Sequence, residues 1–337
     1  MTVSEADGSV HDESTLPSAS VVICAYTEDR WPMLEEAVSS AGAQTHQPIE
    51  IVIVIDHNDA LLARCEAALP HWQEQTSAPL LVVANRFGGR LGSARNTGVE
   101  LANGEVIAFL DDDAAADPTW LANLVRPYLD SEVAAVGGKP LPVYETSRPR
   151  WFPAQMDWVY GCYYDGLPTA LGPTRRLIGA SMSARRSDLE AIGGFHSDNH
   201  DDMDMCHRLA TERPGTQILF EPKAIVRHKV VAQRVTWDYY WRRCFFVNKS
   251  KATAFKEMGA SASGDGDSEF VLGAISRCGK AAIADAVRGD LYGIARFFTL
   301  LAGVGLAALG YAVGQFSSIE GPQTPTAAGL PRPGEIP

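Results

Sequence analysis

Between residues 18 and 137 the chain alternates between two hydrophobic rhythms. Short, near-continuous apolar runs, "ASVVICAY" (19–26), "IEIVIVI" (49–55), "LLVVA" (80–84) and "EVIAFL" (105–110), are rich in β-branched residues and read as strands buried on both faces. Between them lie longer segments with helical spacing. Asp29 and Pro32 open one that reaches about Ala43, with Met33, Leu34, Ala37 and Val38 available for its inner face. A second covers about Leu61–Gln75. A third carries "SARNTGVELA" after the Gly-rich loop "NRFGGRLG", and a fourth starts at Pro118 and runs to about Leu129. Repeated strand–helix units of this kind predict an α/β fold: a Rossmann-like, mostly parallel sheet with helices on both faces.

Ligands of such sheets bind beyond the carboxyl ends of the strands. Tyr26–Glu28, Asp56–Asp59, the 85–92 loop and Asp111–Asp113 all follow strand ends, so they can converge on one site. After Gly138 the rhythm becomes irregular and rich in Pro, Trp and Tyr up to about Pro173, and a second half extends to residue 259. "GASASGDGDSE" reads as a loop or linker. The head (1–17) and the Pro/Gly-rich tail (320–337) read as disordered.

The 260–319 region ends in a different pattern. From Phe297 to Ile319 no residue is charged, and that length suffices to cross a bilayer as a helix, which needs ~20 mostly apolar residues. Arg277, Lys280, Arg288 and Arg296 precede it, the bias expected if the main domain is cytoplasmic. A hydrophobic helix or hairpin packed on the domain is the alternative. The segment from 291 to 319 is therefore expected to associate with a membrane, by crossing it or lying on it.

Composition narrows the chemistry. With 29 Lys plus Arg against 41 Asp plus Glu, the formal charge is −12, which argues against nucleic acid as a partner. An acidic protein that handles phosphates needs a metal or a local basic cluster. The six scattered cysteines include no Cys-x-x-Cys pair and suit reduced thiols. The polar, acidic N-terminal stretch lacks the basic start and apolar run of a signal peptide, so the expected location is the cytoplasm, or the cytoplasmic face of the membrane.

Three consecutive aspartates, Asp111, Asp112 and Asp113, close the fourth strand. In an extended chain, alternation puts Asp111 and Asp113 on one side and Asp112 on the other. Carboxylates so placed suit Mg²⁺ or Mn²⁺ bridging protein oxygens and a diphosphate, although solvated acidic turns are also common.

The stretches "SVVICAY", "IEIVIVIDHND", "GSARNTGVELANGEVIAFLDDD" and "GASMSARRSDLEAIGGF" with "DDMDMCHRL" resemble, in order and spacing, the family 2 glycosyltransferases of the GT-A fold, over about Ser18 to Lys251. The resemblance implies a nucleotide-sugar-binding half at 18–137 and an acceptor and catalytic half at 138–259. It implies that Asp56 holds the base or ribose of the donor nucleotide, with Ala25, Tyr26 and Glu28 lining the same pocket. Arg95 and Asn96 follow the Gly-rich loop, where an Arg fork and backbone N–H groups suit the diphosphate, with pairing of Arg95 to the aspartates as the competing reading. Asp111 is expected on the ribose, Asp113 on the metal, and Asp112 near the donor sugar.

In "DDMDMCHRL", Asp202 falls on the position of the catalytic base, and Asp201 stands where the family usually has Glu. Asp204 and Arg208, an i,i+4 pair, are expected to brace that helix. His228 matches a histidine facing metal or diphosphate. Arg243, in "WDYYWRRCFFVNKSKA", is expected to cover the diphosphate, and the same helix can rest on lipid headgroups through Arg242, Lys249 and Lys251. Together these imply an inverting, Mn²⁺- or Mg²⁺-dependent transfer from a nucleoside-diphosphate sugar, a UDP-sugar first, to a hydroxyl acceptor. The apolar segment points to a polyprenyl-linked acceptor or a cell-envelope glycan, with a soluble small-molecule acceptor, or a noncatalytic sugar-nucleotide-binding protein on the same fold, as the alternatives.

Overall fold

The computed structural model describes residues 16–196, 200–257 and 267–317. Most of the expected head, the whole tail and residues 258–266 of the linker region fall outside these ranges. The "DSE" that closed the expected linker begins a helix instead.

The first half follows the predicted rhythm closely. Strands β1 (Ala19–Ala25), β2 (Glu50–Ile55), β3 (Leu80–Ala84) and β4 (Val106–Asp111) alternate with helices α1 (Trp31–Gly42), α2 (Asp59–Glu74) and α3 (Leu91–Leu101). Asn58 caps α2 by accepting from the Leu61 N–H, and Pro32 sits in the first turn of α1, where its missing N–H costs nothing. All pairings among β1–β4 are parallel. The chain continues through β5 (Ala114–Ala116), a short α4 (Trp120–Val125), β6 (Val133–Tyr144), β7 (Gly172–Pro173) and β8 (Ser181–Arg185). Helices α5 (Arg186–Ala191) and α6 (Asp201–Glu212), strand β9 (Gln217–Val230), and helices α7 (Trp237–Glu257), α8 (Asp267–Val287) and α9 (Tyr292–Phe316) complete it.

One sheet runs β3-β2-β1-β4-β8-β6-β9-β5, with β7 also on β9. Its second half is mixed: β8 is antiparallel to β4 and β6, β9 is parallel to β6, and β5 is antiparallel to β9. Alternation along the strands splits the core in two. Val21, Ile23, Ile51 and Ile53 pack with Leu34, Val38, Leu61 and Trp120 from α1, α2 and α4. Val22, Val52 and Val54 pack with Val99, Leu189, Met205 and Leu209 from α3, α5 and α6.

Two local features set the site. β5 lays three alanines against β9, pairing Ala114 with His228. The β6–β9 ladder also breaks, passing from Gly137↔Phe220 to Lys139↔Ile225, so β9 carries a bulge over residues 221–224. The Glu221 side chain accepts from the Lys223 N–H (2.8 Å) within that bulge.

A third cluster, built from Phe152, Met156, Tyr160, Tyr240, Cys244, Cys278 and Leu300, joins α7, α8 and α9 to the loop after β6. The apolar segment expected near a membrane is α9, and one face of it is docked here. Gly303, Gly310 and Gly314 are its buried seam. A Cβ at Gly310 or Gly314 would collide with the backbone carbonyls of Phe245 and Lys249, so only glycine permits this approach to α7.

Candidate active site

Asp56 leaves β2 at the carboxyl edge of the sheet. Its Oδ1 accepts from Asn85 Nδ2 (2.8 Å) and lies 2.7 Å from His57 Nδ1, while Oδ2 accepts from the Arg90 backbone N–H at 2.6 Å. Arg90 has φ = +92°, a conformation costly for any residue but glycine, and the Asp56 bond holds it. Burial pulls the Asp56 carboxyl up, but bonds from Asn85, His57 and Arg90 outweigh it and keep it below the usual carboxylate range. Asp56 thus shapes the 85–92 loop from one side of the pocket. The Ala25 carbonyl accepts from the Asp56 N–H (2.8 Å), and Tyr26 beside it is 55% exposed, an open aromatic face. Glu28 stands apart in an exposed turn, 3.9 Å from Arg64.

After β4 the aspartates divide as alternation predicts. Asp111, Asp113 and His228 bring one ligand atom each to within 4.8 Å of one another. The β5–β9 pairing is what delivers His228. Its Nε2 lies 3.1 Å from Asp113 Oδ1, and the Lys229 N–H donates to the Asp113 carbonyl at 2.8 Å. His228 Nδ1 contacts Cys162 Sγ at 3.6 Å. Asp112 turns the other way. Its Oδ1 accepts from Arg30 (2.8 Å), and its buried Oδ2 has no partner among the described residues. Arg30 also lies 3.2 Å from Asp113 Oδ2, with Arg234 3.6 Å from the same atom.

Electrostatics separates the three carboxyls. Burial pushes Asp111 above the usual range and Asp112 up to about 7. Asp113 resists the same burial because His228, Arg30 and Arg234 surround it, and it falls to about 2. Two carboxylates and an imidazole form a hard O/N donor set that fits a divalent cation such as Mn²⁺ or Mg²⁺. Asp111, Asp113 and His228 are the residues that would hold the ion.

Arg95 takes a different place from the one expected. It is 2% exposed, and its guanidinium bonds Asp201 Oδ2 (2.5 Å), Asp111 Oδ1 (3.2 Å) and the Gly179 carbonyl (2.9 Å). Its fork therefore serves as a buried strut beneath the site, the competing reading, because Asp111 and Asp201 need a cation once they leave water. A Cβ on Gly179 would lie 3.1 Å from the Arg95 guanidinium, so a small residue is needed there. Asn96, fully buried, bonds Phe195 twice, through Nδ2 to its carbonyl and through Oδ1 from its N–H (both 2.8 Å). It staples α3 to the turn before α6.

Asp201 is buried, and burial raises its carboxyl to about 6 although Arg95 lowers it. Asp202, the first half-open side chain of α6, accepts from the Gly179 N–H (3.2 Å) through Oδ2 and from the Met203 N–H (2.8 Å) through Oδ1. Gly179 and Arg95 therefore join Asp202 to Asp111 through three short contacts. One expectation needs correcting. Arg208 pairs with Glu212 (3.3 Å), one turn further on, where the expected partner was Asp204, whose carboxylate accepts from the His196 N–H instead. Arg243 is exposed on α7 and donates to the Val159 carbonyl (3.4 Å), in the same loop whose Cys162 touches His228.

Arg30, Arg234, Asn85, Cys162 and Gly179 escaped sequence reading. Arg30 lies in "TEDRWP", which looks like an ordinary helix opening, and Arg234 in a polar turn after β9. Only the "Asn85–Arg86–Phe87–Gly88" loop carried a signal, since it already stood at a strand end.

A family model described as "Glycosyl transferase family 2" matches residues 20–193. The chain is similar to a glucosyl-dolichyl phosphate glucuronosyltransferase of Haloferax volcanii, at 30% identity over 69% of this chain and 75% of that one. It is similar to a pre-mycofactocin glycosyltransferase of Mycobacterium tuberculosis at 27% identity, over 43% of this chain and 31% of that one. Among solved structures it shares the fold of the mannosyltransferase PcManGT from Pyrobaculum calidifontis in complex with GDP-Man and Mn²⁺ (TM-score 0.56, 20% identity, 89% and 88% of the two chains).

Proposed function

The chain belongs to glycosyl transferase family 2 and is a glycosyltransferase, and from that premise we propose that it transfers a sugar, with inversion, from a nucleoside-diphosphate sugar to a hydroxyl of a lipid-linked acceptor. A UDP-sugar is the first donor to test. The observation that carries the reading is the short chain Asp111–Arg95–Gly179–Asp202, which sets a half-open carboxylate beside a metal-ready cluster. A binding protein has no use for a base in that position.

Each group then has a task. Asp56 and Tyr26 border the nucleotide pocket, where a carboxylate accepts from ribose hydroxyls or a base N–H. Asp111, Asp113 and His228 hold the ion. When bound, a divalent cation supplies positive charge that stabilises the departing diphosphate. Asp202 accepts the acceptor hydroxyl's proton as the new bond to the anomeric carbon forms and the bond to the diphosphate oxygen breaks. Arg95 keeps Asp201 and Asp111 in place and Asp202 within reach.

The name of the Haloferax volcanii relative, which contains a dolichyl phosphate, supports a lipid-linked acceptor, and α9 supports a place at a membrane. The test is a sugar-nucleotide screen with Asp202→Asn as control. Transfer should vanish in that variant while Mn²⁺-dependent donor binding stays. Unchanged turnover would sink the base assignment.

A further inference from the structure

Among the described residues α9 alone is long and apolar enough to cross a membrane. Its packing decides between crossing and lying flat. The buried seam, Gly303, Gly310 and Gly314, lies along α7 from Tyr240 to Lys249 in the same chain direction, and the Tyr240 hydroxyl donates to the Thr299 carbonyl (2.8 Å). At the far end Lys256 donates its ammonium to the carbonyls of Gly314 (3.0 Å), Gln315 and Ser317 (3.2 Å), capping the last turn of α9.

A helix fixed in this way cannot enter a bilayer without α7. That helix carries Asp238, Arg242, Arg243, Lys249, Lys251 and Lys256, charges that hydrocarbon would penalise heavily.

The opposite face of α9 is exposed and apolar. Ile294 (43%), Phe298 (63%), Leu309 (55%) and Phe316 (91%) recur at helical spacing along it. On α8, Leu272 (69%), Ile283 (69%) and Val287 (84%) form a matching stripe, continued by Leu291 (70%). Water is a poor solvent for a patch of this kind.

Charge says what covers it. From Asp267 to residue 317 four basic residues, Arg277, Lys280, Arg288 and Arg296, stand against four acidic ones, but Asp267 and Glu269 precede the stripe, so from residue 271 onward the count is four against Asp285 and Asp290. Both acids are bonded to Arg296 (2.6 and 2.9 Å), Arg288, just past the end of α8, lies 3.9 Å from Asp285, and Arg277 bonds Asp165 (2.7 Å), while Lys280 is exposed on α8 beside the stripe. A chain of net charge −12 thus turns a locally basic, apolar face outward.

We propose that α8 and α9 form a monotopic docking face that lies in the plane of an anionic lipid leaflet, with the stripe from Leu272 to Phe316 sunk among the headgroups and acyl chain tops. This deepens the membrane reading above and rests on it. Crossing the bilayer is excluded by the α7 contacts, and a second copy of the chain is a poor match for two like-charged rims.

The test is performed on the full chain with vesicles of phosphatidylcholine alone and of phosphatidylcholine with phosphatidylglycerol. Flotation should be strong only with the anionic vesicles, and Phe298→Glu with Leu309→Glu should reduce it at least tenfold while Mn²⁺-dependent UDP binding stays unchanged. Nitroxides introduced one at a time by Phe298→Cys, Leu309→Cys and Phe316→Cys, in a Cys24→Ala background, then report depth by oxygen accessibility. Equal, shallow depth at the three positions is the expected result. A profile deepest at Leu309 and shallower at Phe298 and Phe316 would overturn the in-plane geometry and leave membrane association standing. No flotation with either vesicle, or dimerisation lost in the double Glu variant, would overturn membrane docking itself.

Discussion

Replacing Arg95 by Met removes a buried cation from between two carboxylates while keeping most of the side-chain volume. The stem stays packed near Phe109 and Phe195, whose ring centroids lie 5.7 and 5.8 Å from the guanidinium carbon. What disappears is the counter-charge: Arg95 and Asp201 have side chains only 2% and 8% exposed, and water cannot replace the lost bonds. Breaking one partner out of a buried pair costs about 3–5 kcal/mol, and a loss of that size is expected in the unfolding free energy of the donor-free protein measured by urea denaturation. Adding Asp201→Asn should return part of it, because the orphaned charge goes too, giving a coupling of about 1–3 kcal/mol in a double-mutant cycle. The pH dependence carries a sign. Asp201 is raised above its unfolded value by burial, so its penalty is absent below the ordinary carboxylate pKa of ~4 and complete above about 6. Without Arg95 that pKa climbs further, so Arg95→Met should regain stability relative to the parent as the pH falls from 8 to 5. A loss under ~1 kcal/mol, or strictly additive mutations, would refute the strut.

Two further outcomes test other parts of the structure. Arg30→Gln removes a cation from Asp112 and Asp113, so Mn²⁺ binding to the nucleotide-free protein, read by electron paramagnetic resonance, should tighten about tenfold; that is well under the ~4 kcal/mol two unit charges 4 Å apart feel at an effective dielectric of 20. Gly310→Leu drives a side chain into the Phe245 carbonyl, and overpacking of this kind should cost at least ~1–3 kcal/mol in a thermal melt and expose the α7–α9 unit to protease, with unchanged melting as the refuting result.

Much of this arrangement was legible in the sequence because it rests on local rules. β1, β2 and β4 are apolar runs with sharp polar ends, and alternation anticipates that Asp111 and Asp113 converge on one side, where His228 joins them. Arg95 was misplaced for a long-range reason. Its neighbours in sequence suggested a phosphate, but Asp201, which occupies its fork, lies more than a hundred residues away. Whether α9 crosses or lies flat was equally invisible, because composition describes the helix and not the glycine seam's partner.

The bulge at residues 221–224 of β9 acts as a phase-setter for the metal cluster. Side chains of a strand alternate, so one residue more or fewer in that bulge would turn His228 to the opposite face and offer Arg227 or Lys229 to Asp113 instead. The same slip would carry Val226 and Val230, both fully buried, to the outer face and press Arg227 and Lys229 toward the core. Indels within residues 221–224 should therefore lower the melting temperature and abolish Mn²⁺ binding together, because one four-residue spacer sets the phase of the core and of the metal cluster at once.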